Sequence, residues 1–312
     1  MPNLTAPDIT LPATGADDPR VGHLLGTALS GGRAPRAVLV GFPSDEGVHR
    51  NGGRVGAAGA PDEIRRMLFR LTPDAERFEE SVDLLEHTLD LGNLALTDDV
   101  ERDQALLADA LTPLLMAGSF VIVLGGGHET SFGHFLAYAA TGQQVGILNW
   151  DAHPDVRELK DGLGHAGSPF RQAILDPSGA CRQFIAAGLL PHVVARAHLE
   201  FLAAHGARFE WRRDLTVPRV AELYKGLEGP SFVSFDLDAV EQAAAPGASS
   251  PSVGGIPADL WLHAAYLAGK SPAVRSCDVV EMNPVYDRDN AAARLAAATV
   301  WQVLKGLSER KG

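Results

Sequence analysis

Acidic and imidazole side chains recur in this sequence at spacings that suit metal binding. In "NWDAHPDVR", Asp151, His153 and Asp155 occupy every second position after the apolar run "VGILNW". "SFDLDAV" repeats the pattern with Asp236 and Asp238, again after an apolar run. Alternating positions of an extended chain point to the same side, so each motif groups its ligand-type side chains. One such motif alone is also typical of solvated carboxylates at a strand end.

Two more polar residues follow apolar runs, His128 in "LGGGHE" and Glu281 in "VRSCDVVEM". If these runs are neighbouring strands, three strand ends bring six candidate ligands together. The candidate ligands are His128, Asp151, His153, Asp155, Asp236 and Asp238. Four carboxylates beside a low-dielectric core repel one another strongly unless divalent cations neutralise them. We therefore predict two metal ions, which together can activate one water molecule near neutral pH.

The donor types favour one metal over others. Oxygen-rich ligation with two imidazoles suits Mn²⁺ better than a structural zinc site, for which thiolates are expected, while Fe²⁺, Co²⁺ and catalytic Zn²⁺ stay open. The two cysteines, Cys181 and Cys277, are too few for a disulfide framework or a four-thiolate site. We expect both to be small core residues.

The elements that must position these residues alternate along the chain. Five apolar runs predict strands buried on both faces: 37–42, 120–126, 145–150, 231–237 and 274–282. Amphipathic stretches predict helices at "PDEIRRMLFRL", "DDVERDQALLADALTPLLMAG", "ARAHLEFLAAHG", "PADLWLHAAYLAG" and "DNAAARLAAATVWQVLKGLSER". The alternation predicts an α/β fold, a three-layer α/β/α, doubly wound and mostly parallel sheet. We expect a flexible N-terminal arm over 1–35 and a single catalytic domain over 36–312.

Charge and hydropathy exclude several classes of protein. Lys and Arg total 27 against 39 Asp and Glu, a net charge of −12, which gives nucleic-acid phosphates no general attraction. The N-terminal residues contain no basic start followed by an apolar run, and no stretch of about 18 apolar residues occurs. We expect a cytoplasmic protein that binds neither nucleic acid nor membrane. The sequence also contains no Gly-x-Ser-x-Gly elbow and no phosphate loop, which leaves a serine nucleophile and nucleotide binding without support.

The motifs "GGGHE", "DAHPD", "SFDLDAV" with "APGASSP", and "DVVEMNP" resemble, in the same order, the metal and substrate motifs of the ureohydrolase superfamily of arginase, agmatinase and formimidoylglutamase. The resemblance runs from residue 38 to about 305 and implies an arginase-like domain with two Mn²⁺ ions per subunit. It implies one ion held by His128, Asp151, Asp155 and Asp236. It implies the other held by Asp151, His153, Asp236 and Asp238, with Asp151 and Asp236 bridging.

Less general features resemble the formimidoylglutamase family, which hydrolyses N-formimidoyl-L-glutamate to L-glutamate and formamide in histidine degradation. They are "GFPSDEGVHRNGGRVGAAGAPDEIR", "GGGHE" in place of an arginase-like G-G-D-H, and "DAHPDVR". The resemblance implies substrate binding by Asn51, Arg54, Arg157 and Glu281. Glu281 would pair with the cationic amidine, and the two arginines with carboxylates. Asp238 would transfer a proton to the leaving nitrogen.

One departure concerns proton transfer. Guanidine hydrolases carry a histidine directly before the glycine of a loop like "GSPF", whereas here Ala166 precedes Gly167 and His165 lies one residue earlier. We predict that His165 takes part in catalysis by proton transfer, with an ordinary loop histidine as the alternative. His134, on the helix expected after "GGGHE", is predicted to be a packing or surface residue.

Two other functions stay open. A guanidino-acid ureohydrolase, like arginase, agmatinase or guanidinobutyrase, would keep the chemistry and release urea. A non-catalytic metal-binding regulatory protein could use the same scaffold. In both enzymatic cases the partner is a small-molecule amidine or guanidine, and the family resemblance implies a homo-oligomer.

Overall fold

Nine strands form one sheet in the computed structural model, which describes residues 4–11, 13–15, 17–26 and 34–310. In chain order they are β1 (Leu4–Thr5), β2 (Ala37–Phe42), β3 (Thr88–Leu94), β4 (Phe120–Gly125), β5 (Val145–Trp150), β6 (Cys181–Leu189), β7 (Arg208–Trp211), β8 (Ser231–Asp236) and β9 (Val274–Val280). Their order across the sheet is β1-β3-β2-β4-β9-β8-β5-β6-β7. Only β1 and β3 pair antiparallel, and every other pair is parallel.

Helices connect the strands and cover both faces of the sheet. They are α1 (Val21–Leu24), α2 (Glu46–Asn51), α3 (Ala60–Leu68), α4 (Phe78–Glu86), α5 (Val100–Met116), α6 (Thr130–Thr141), α7 (Pro169–Leu175), α8 (Arg196–Ala204), α9 (Val217–Lys225), α10 (Ala258–Lys270) and α11 (Ala291–Ser308). The five predicted helices correspond to α3, α5, α8, α10 and α11. No helix among the described residues is long and apolar enough to span a bilayer.

Alternate residues of each central strand pack into hydrophobic cores on opposite faces of the sheet. The fold therefore has three layers, with the sheet between two layers of helices. In β2, Leu39 packs in one core with α3 residues such as Ile64, and α9, α10 and α11 contribute to the same core. Val38 and Val40 point the other way and pack against Leu107 of α5. Farther along the sheet, α6, α7 and α8 cover this second face. The predicted doubly wound α/β/α architecture is confirmed.

The strands that sequence reasoning found lie in the middle of the sheet. All residues of β2, β4, β5 and β8 are buried because helices cover both faces, so these strands are predominantly apolar. By contrast β3, with the sequence "TLDLGNL", and β7 lie near the edges and are only partly buried. β6 begins with the partly exposed "CRQ". β3 and β7 lack a continuous apolar run and were not predicted. β6 was not predicted either, although its last six residues, "FIAAGL", form a buried apolar run.

The first 35 residues contribute structure to one edge of the sheet. β1 pairs with β3, placing Leu4 opposite Leu94, and Val21 of α1 is fully buried. Gly26 bridges to Leu89. Residues 1–3, 12, 16 and 27–33 of the predicted arm lie outside the described residues. The division into an arm over 1–35 and a catalytic domain over 36–312 stays a prediction.

Candidate active site

The carboxyl ends of four adjacent strands, β4, β9, β8 and β5, converge at the centre of the sheet. His128 follows β4 after a glycine turn, and Asp151 directly follows β5. Asp236 is the last residue of β8, and Glu281 directly follows β9. Parallel neighbours end at the same edge of a sheet, so residues distant in sequence become neighbours. The gathering of ligand-type residues expected from the sequence is present.

The segment after β5 is folded by its own side chains. Asp151 is fully buried, and its Oδ1 accepts a hydrogen bond of 2.7 Å from the backbone N–H of His153. Directly after Pro154, Asp155 adopts a left-handed backbone conformation with φ +46°. Few residues other than glycine do so, and such conformations cluster at functional sites. This turn returns the Asp155 carboxylate to the site, as the sequence predicted.

The segment after β8 is folded in a similar way. The Asp236 Oδ1 accepts a hydrogen bond of 2.8 Å from the backbone N–H of Asp238, which closes one turn of 3-10 helix. The Asp238 Oδ2 then lies 3.3 Å from Nδ1 of His153. Short Asp side chains readily make such local backbone bonds. The spacing Asp-x-Asp therefore sets the local conformation as well as supplying two carboxylates.

A first cluster of ligand atoms surrounds the imidazole of His128. Its Nδ1 lies 2.9 Å from Asp155 Oδ2, 2.9 Å from Asp236 Oδ2 and 3.6 Å from Asp151 Oδ2. Its Nε2 lies 3.0 Å from the hydroxyl of Ser234, so Nδ1 is the atom that faces the carboxylates. One ligand atom from each of these four residues lies within 4.8 Å of the others. They are the four residues predicted to hold the first ion.

A second cluster shares one residue with the first. Asp151, His153 and Asp238 each place a ligand atom within 4.8 Å of the others. The Asp151 Oδ1 lies 3.3 Å from Nδ1 of His153. Asp151 thus lies between the clusters, where a bridging ligand was predicted. Asp236, the other predicted bridge, groups with the first cluster, so its contribution to the second stays a prediction.

The electrostatics of these residues fit divalent cations. Burial raises the pKa of Asp238 to about 6, and burial with repulsion from Asp238 and Asp151 raises the pKa of Asp236 well above its ordinary value. A bound cation would supply the positive charge that stabilises the ionised form of these carboxylates. Two buried atoms at the site, His128 Nδ1 and Asp238 Oδ1, make no hydrogen bond of suitable geometry within the described part of the chain, although two carboxylate oxygens lie 2.9 Å from that Nδ1. Oxygen donors, two imidazoles and two donor atoms without such a hydrogen bond together make a site for two divalent ions.

Glu281 lies beside the clusters in a conformation that its neighbours hold. Its φ is +62°, and its backbone N–H donates to the Gly126 carbonyl at 2.8 Å. Its Oε1 accepts from the backbone N–H of His128 at 2.6 Å, and its carbonyl accepts from the N–H of Ser249 at 3.1 Å. Burial raises the pKa of this carboxyl to about 8. Glu281 is therefore a fixed carboxylic group at the inner wall of a cavity.

The cavity opens above both clusters and contains several predicted substrate residues. It is lined by Val48, Asn51, Gly53, His153, Asp155, Arg157, Ala166, Gly167, Asp236, Asp238, Ser249, Ser250 and Glu281. Arg157 lies at the exposed mouth, and no ion pair to its guanidinium occurs in the ranges that the structure describes. An unpaired cation beside an acidic cluster is available for an anionic ligand.

Arg54 is not among the cavity-lining residues, contrary to the prediction that it contacts substrate. Its Nε donates to the Ser249 carbonyl at 3.0 Å, and its Nη2 donates to the carbonyl of Ala248. Its guanidinium also lies 4.2 Å from the ring centroid of Tyr286. Backbone acceptors and an aromatic face thus satisfy this group. Arg54 holds the loop that brings Ser249 and Ser250 to the cavity.

His165 is also placed differently from the prediction. Its Nε2 donates to the Glu158 carbonyl at 2.9 Å, and its Nδ1 accepts from the N–H of Gly167 at 3.1 Å. Both ring nitrogens are therefore engaged by backbone, and burial lowers the pKa of the imidazole. Ala166 and Gly167, rather than His165, line the cavity. The structure supports the alternative of a loop histidine.

This placement predicts the outcome of replacing His165 by alanine. We expect kcat to stay within about threefold of the wild-type value, since a proton-transfer residue would cost roughly 10²-fold or more. We expect the free energy of unfolding to fall by about 1 to 3 kcal/mol, because the buried N–H of Gly167 loses its acceptor. Steady-state kinetics and denaturant unfolding measure the two effects. A 10²-fold loss of kcat in a stable variant would show that His165 takes part in catalysis after all.

Gly167 also leaves room for two cavity side chains. A Cβ atom there would lie 2.7 Å from Cδ of Arg157 and 3.2 Å from Nδ2 of Asn51. For Gly167→Ala we expect KM to rise about fivefold to tenfold with kcat little changed, because the displaced groups are those predicted to bind substrate away from the reacting atoms. Initial rates over a range of substrate concentrations test this, with bound metal as the control. An unchanged KM would show that neither side chain matters for binding.

Several residues near the site were not found from the sequence. Ser249 and Ser250 belong to the motif "APGASSP", which was noted only as part of the family resemblance. Glu129 is buried with a pKa raised to about 7, and its Oε1 accepts from Gly47 N–H at 3.0 Å, which ties α2 to the glycine turn. Ser234 precedes Asp236 by two positions, a spacing that could have flagged it.

Of the residues given a structural role from the sequence, His134 and Cys277 are core residues as expected, whereas Cys181 lies only partly buried, at the first position of β6. His134 is fully buried and hydrogen-bonded to Asp278, so it is a core residue rather than a surface one. Cys277 is fully buried and Cys181 is partly exposed, and both are free thiols.

Comparison with known proteins agrees with this site. The arginase family model matches residues 35–305. The chain is 34% identical over 299 residues to a formimidoylglutamase of Rhodococcus jostii, covering 90% of this chain and 89% of that protein. It is 35% identical over 279 residues to a formimidoylglutamase of Salmonella arizonae, covering 85% and 83%. The crystal structure of Trypanosoma cruzi formiminoglutamase with two Mn²⁺ superposes with a TM-score of 0.85 and 29% identity, covering 95% of this chain and all of that one. The chain belongs to the arginase family.

Proposed function

We propose that this protein hydrolyses N-formimidoyl-L-glutamate to L-glutamate and formamide with two Mn²⁺ ions. Its relatives of about 34% identity carry the name formimidoylglutamase, and a structurally similar formiminoglutamase contains Mn²⁺. The observation that carries the proposal is a cavity with two contrasting sides. Two clusters of carboxylates and imidazoles form its floor, while the unpaired guanidinium of Arg157 stands at its mouth. Such a cavity suits a substrate with a cationic amidine at one end and carboxylates at the other.

The residues of the two clusters would hold the metal ions. His128, Asp151, Asp155 and Asp236 hold one ion, and Asp151, His153, Asp238 and Asp236 hold the other. When bound, the ions supply Lewis acidity and lower the pKa of a water molecule, so that a nucleophile forms near neutral pH. The protein contributes by holding each ligand in place through the turns at Asp151 and Asp236.

Glu281 and the mouth of the cavity would orient the substrate. The Glu281 carboxylate pairs with the amidinium, since it lies beside the clusters and is fixed by the His128 N–H. Arg157 binds a substrate carboxylate with two parallel hydrogen bonds, and the Asn51 amide donates a further one. Arg54 acts indirectly, by holding the loop of Ser249 and Ser250 against the cavity. This arrangement presents the formimidoyl carbon to the nucleophile and leaves glutamate near the solvent.

Asp238 would move the proton that the reaction requires. Water adds to the formimidoyl carbon, the bond from that carbon to the glutamate nitrogen breaks, and this nitrogen takes up a proton. The Asp238 Oδ1 is buried at the cavity floor without a hydrogen-bond partner in the described part of the chain. It can therefore receive a proton from the attacking water and pass it to the leaving nitrogen. His165 takes no part in this step.

A ureohydrolase acting on a guanidino acid is the alternative with the same chemistry. Ala166 lines the cavity where guanidine hydrolases are expected to carry a histidine, which disfavours this alternative. Two further parts of the proposal are a homo-oligomeric state, which the family resemblance implies, and a cytoplasmic location, which is expected from the sequence. Light scattering after size-exclusion chromatography and cell fractionation test these two parts.

A panel of amidines and guanidines tests the proposed activity. The purified protein is loaded with Mn²⁺ and assayed with formimidoylglutamate, arginine, agmatine and guanidinobutyrate, and formamide, urea and ammonia are measured separately. We expect formamide from formimidoylglutamate at the highest kcat/KM of the panel. Urea from a guanidino compound at a higher kcat/KM would replace the proposed substrate, and no turnover on the whole panel would favour a regulatory metal-binding protein.

A further inference from the structure

A chain of hydrogen-bonded polar side chains lies between helix α6 and strands β8 and β9, behind the site and outside its cavity. Its members are at most 2% exposed: Ser131, His134, Tyr138, Ser234, Ser276 and Asp278. They are surrounded by apolar core residues, and burying polar groups in such a core is costly unless they bond to one another. The proposed reaction uses none of them directly.

Asp278 is the centre of this chain. Its Oδ1 lies 2.5 Å from the Ser234 hydroxyl and 3.1 Å from the Ser131 hydroxyl. Its Oδ2 lies 2.8 Å from Nδ1 of His134. An ionised carboxylate only accepts hydrogen bonds, so all three neighbours must donate to it. Asp278 therefore determines the direction of each hydrogen bond that it makes.

The hydrogen bond between Asp278 and Ser234 also determines the direction of the hydrogen bond between Ser234 and His128, a proposed metal ligand. Because the Ser234 proton is donated to Asp278, the oxygen of Ser234 is left to accept from Nε2–H of His128, 3.0 Å away. The Nε2 atom thus keeps its proton, and the Nδ1 atom presents its lone pair to the carboxylate cluster. A histidine ligand depends on this kind of bond at its second nitrogen for its tautomer and orientation.

The remaining members stabilise Asp278 from the other side. His134 donates through Nδ1, so its Nε2 accepts from the Ser276 hydroxyl at 2.7 Å. The Tyr138 hydroxyl lies 2.7 Å from the same Ser276 oxygen and donates to it. Ser131, Ser234 and His134 donate to Asp278 directly, whereas Ser276 and Tyr138 are connected to it through His134. Tyr138 is the member farthest from the metal ligand along this path.

We propose that Asp278 is a positioning residue for the metal centre, acting through Ser234 to orient His128 and thereby strengthen divalent-cation binding at the first cluster. The proposal rests on the metal centre of the proposed function but not on its substrate. If Asp278 had only a structural role, replacing it would lower the stability of the fold. Its effect on Mn²⁺ affinity would then not depend on Ser234.

Calorimetric titration of Mn²⁺ into chelator-treated protein tests the proposal. The proteins compared are wild type, Ser234→Ala, Asp278→Asn, the double variant, and Tyr138→Phe as the control at the far end of the chain. We expect the affinity of one of the two ions to fall about 10-fold to 100-fold in Ser234→Ala and in Asp278→Asn. In the double variant we expect no more than about twofold further loss, because both changes break the same path. Tyr138→Phe should bind Mn²⁺ like the wild type.

Each contrary result is distinct. Wild-type affinity in Asp278→Asn, or losses that multiply in the double variant, would overturn the proposal. Thermal unfolding of the metal-free proteins shows which variants fold. If Asp278→Asn does not fold, Ser234→Ala decides, and wild-type affinity in that variant overturns the proposal. If the wild-type chain binds no Mn²⁺, the metal centre itself fails and the proposal with it, whereas a different substrate in the activity panel leaves this test untouched.

Discussion

Replacing Asp236 by asparagine is expected to lower kcat by about 10³-fold or more and to reduce the Mn²⁺ bound per chain. The Asp236 Oδ2 lies 2.9 Å from Nδ1 of His128, and its Oδ1 holds the turn that carries Asp238. The substitution therefore removes a charged ligand of the first cluster and alters the position of a ligand in the second. Steady-state kinetics and metal analysis of the purified variant measure the two effects.

The metal-free proteins provide the control for folding. Burial and neighbouring carboxylates raise the pKa of Asp236 well above its ordinary value, so its ionised form is disfavoured in the folded protein without a cation. The neutral asparagine avoids this penalty. We expect the free energy of unfolding of metal-free Asp236→Asn to equal or exceed that of the metal-free wild type. Full activity of the variant, or full activity of the wild type after exhaustive chelation, would rule out the proposed metal centre.

The second large effect is expected at the mouth of the cavity. For Arg157→Ala we predict that kcat/KM for formimidoylglutamate falls about 10-fold to 100-fold, mainly through KM, with metal content unchanged. The side chain is exposed, so its pairing with a substrate carboxylate is partly screened by water, and a larger loss is not expected. Arg157→Lys should recover only part of the loss, because lysine keeps the charge but cannot form two parallel hydrogen bonds.

A substrate without carboxylates separates binding from general damage. The N-formimidoyl derivative of a simple alkylamine lacks the groups that Arg157 is proposed to bind. Wild type and Arg157→Ala should therefore hydrolyse it with similar kcat/KM. Equal losses on both substrates would show that Arg157 supports the fold of the site, and no loss on formimidoylglutamate would remove Arg157 from the proposed binding mode.

The convergence of the candidate metal ligands could be predicted from sequence because their spacing and their local backbone conformation are linked. Asp151 and Asp236 each bond to the N–H two residues ahead, so Asp-x-His and Asp-x-Asp bring two ligands to one place whatever else the chain does. Their position after fully buried strands set the edge of the sheet at which they lie. Both the spacing of the ligands and their position after an apolar strand are local features, so both can be recognised in the sequence.

The positions of Arg54 and His165 depend on information that is not local. Arg54 follows a glycine pair in a loop, and its direction is set by the carbonyls of Ala248 and Ser249, almost 200 residues away. His165 is one residue from a cavity-lining position, and that single step turns its ring toward the Glu158 carbonyl. Spacing alone cannot determine which way such loop side chains point.

The polar chain behind the site is visible in the sequence as polar residues within the central strands. Ser234 of β8 and Ser276 and Asp278 of β9 are polar residues within central strands, and all three are completely buried. Polar residues in a doubly covered strand need partners within the core. Ser276 and Asp278 are two residues apart in β9, and Ser234 of β8 lies opposite Asp278, so the three side chains share one face of the sheet. A buried network could therefore have been expected, although its direction toward His128 required the structure.

The order of strands also has a consequence for biosynthesis. β9 lies between β4 and β8, so it joins one half of the sheet, β1-β3-β2-β4, to the other half, β8-β5-β6-β7. His128 follows a strand of the first half. The other five candidate ligands lie at the ends of β5 and β8 in the second half: Asp151, His153, Asp155, Asp236 and Asp238. While a ribosome is still making residues before 274, the strand that unites these halves does not exist. Until residues 274–280 are made, the nascent chain therefore lacks the strand that places His128 beside its three partners in the first cluster.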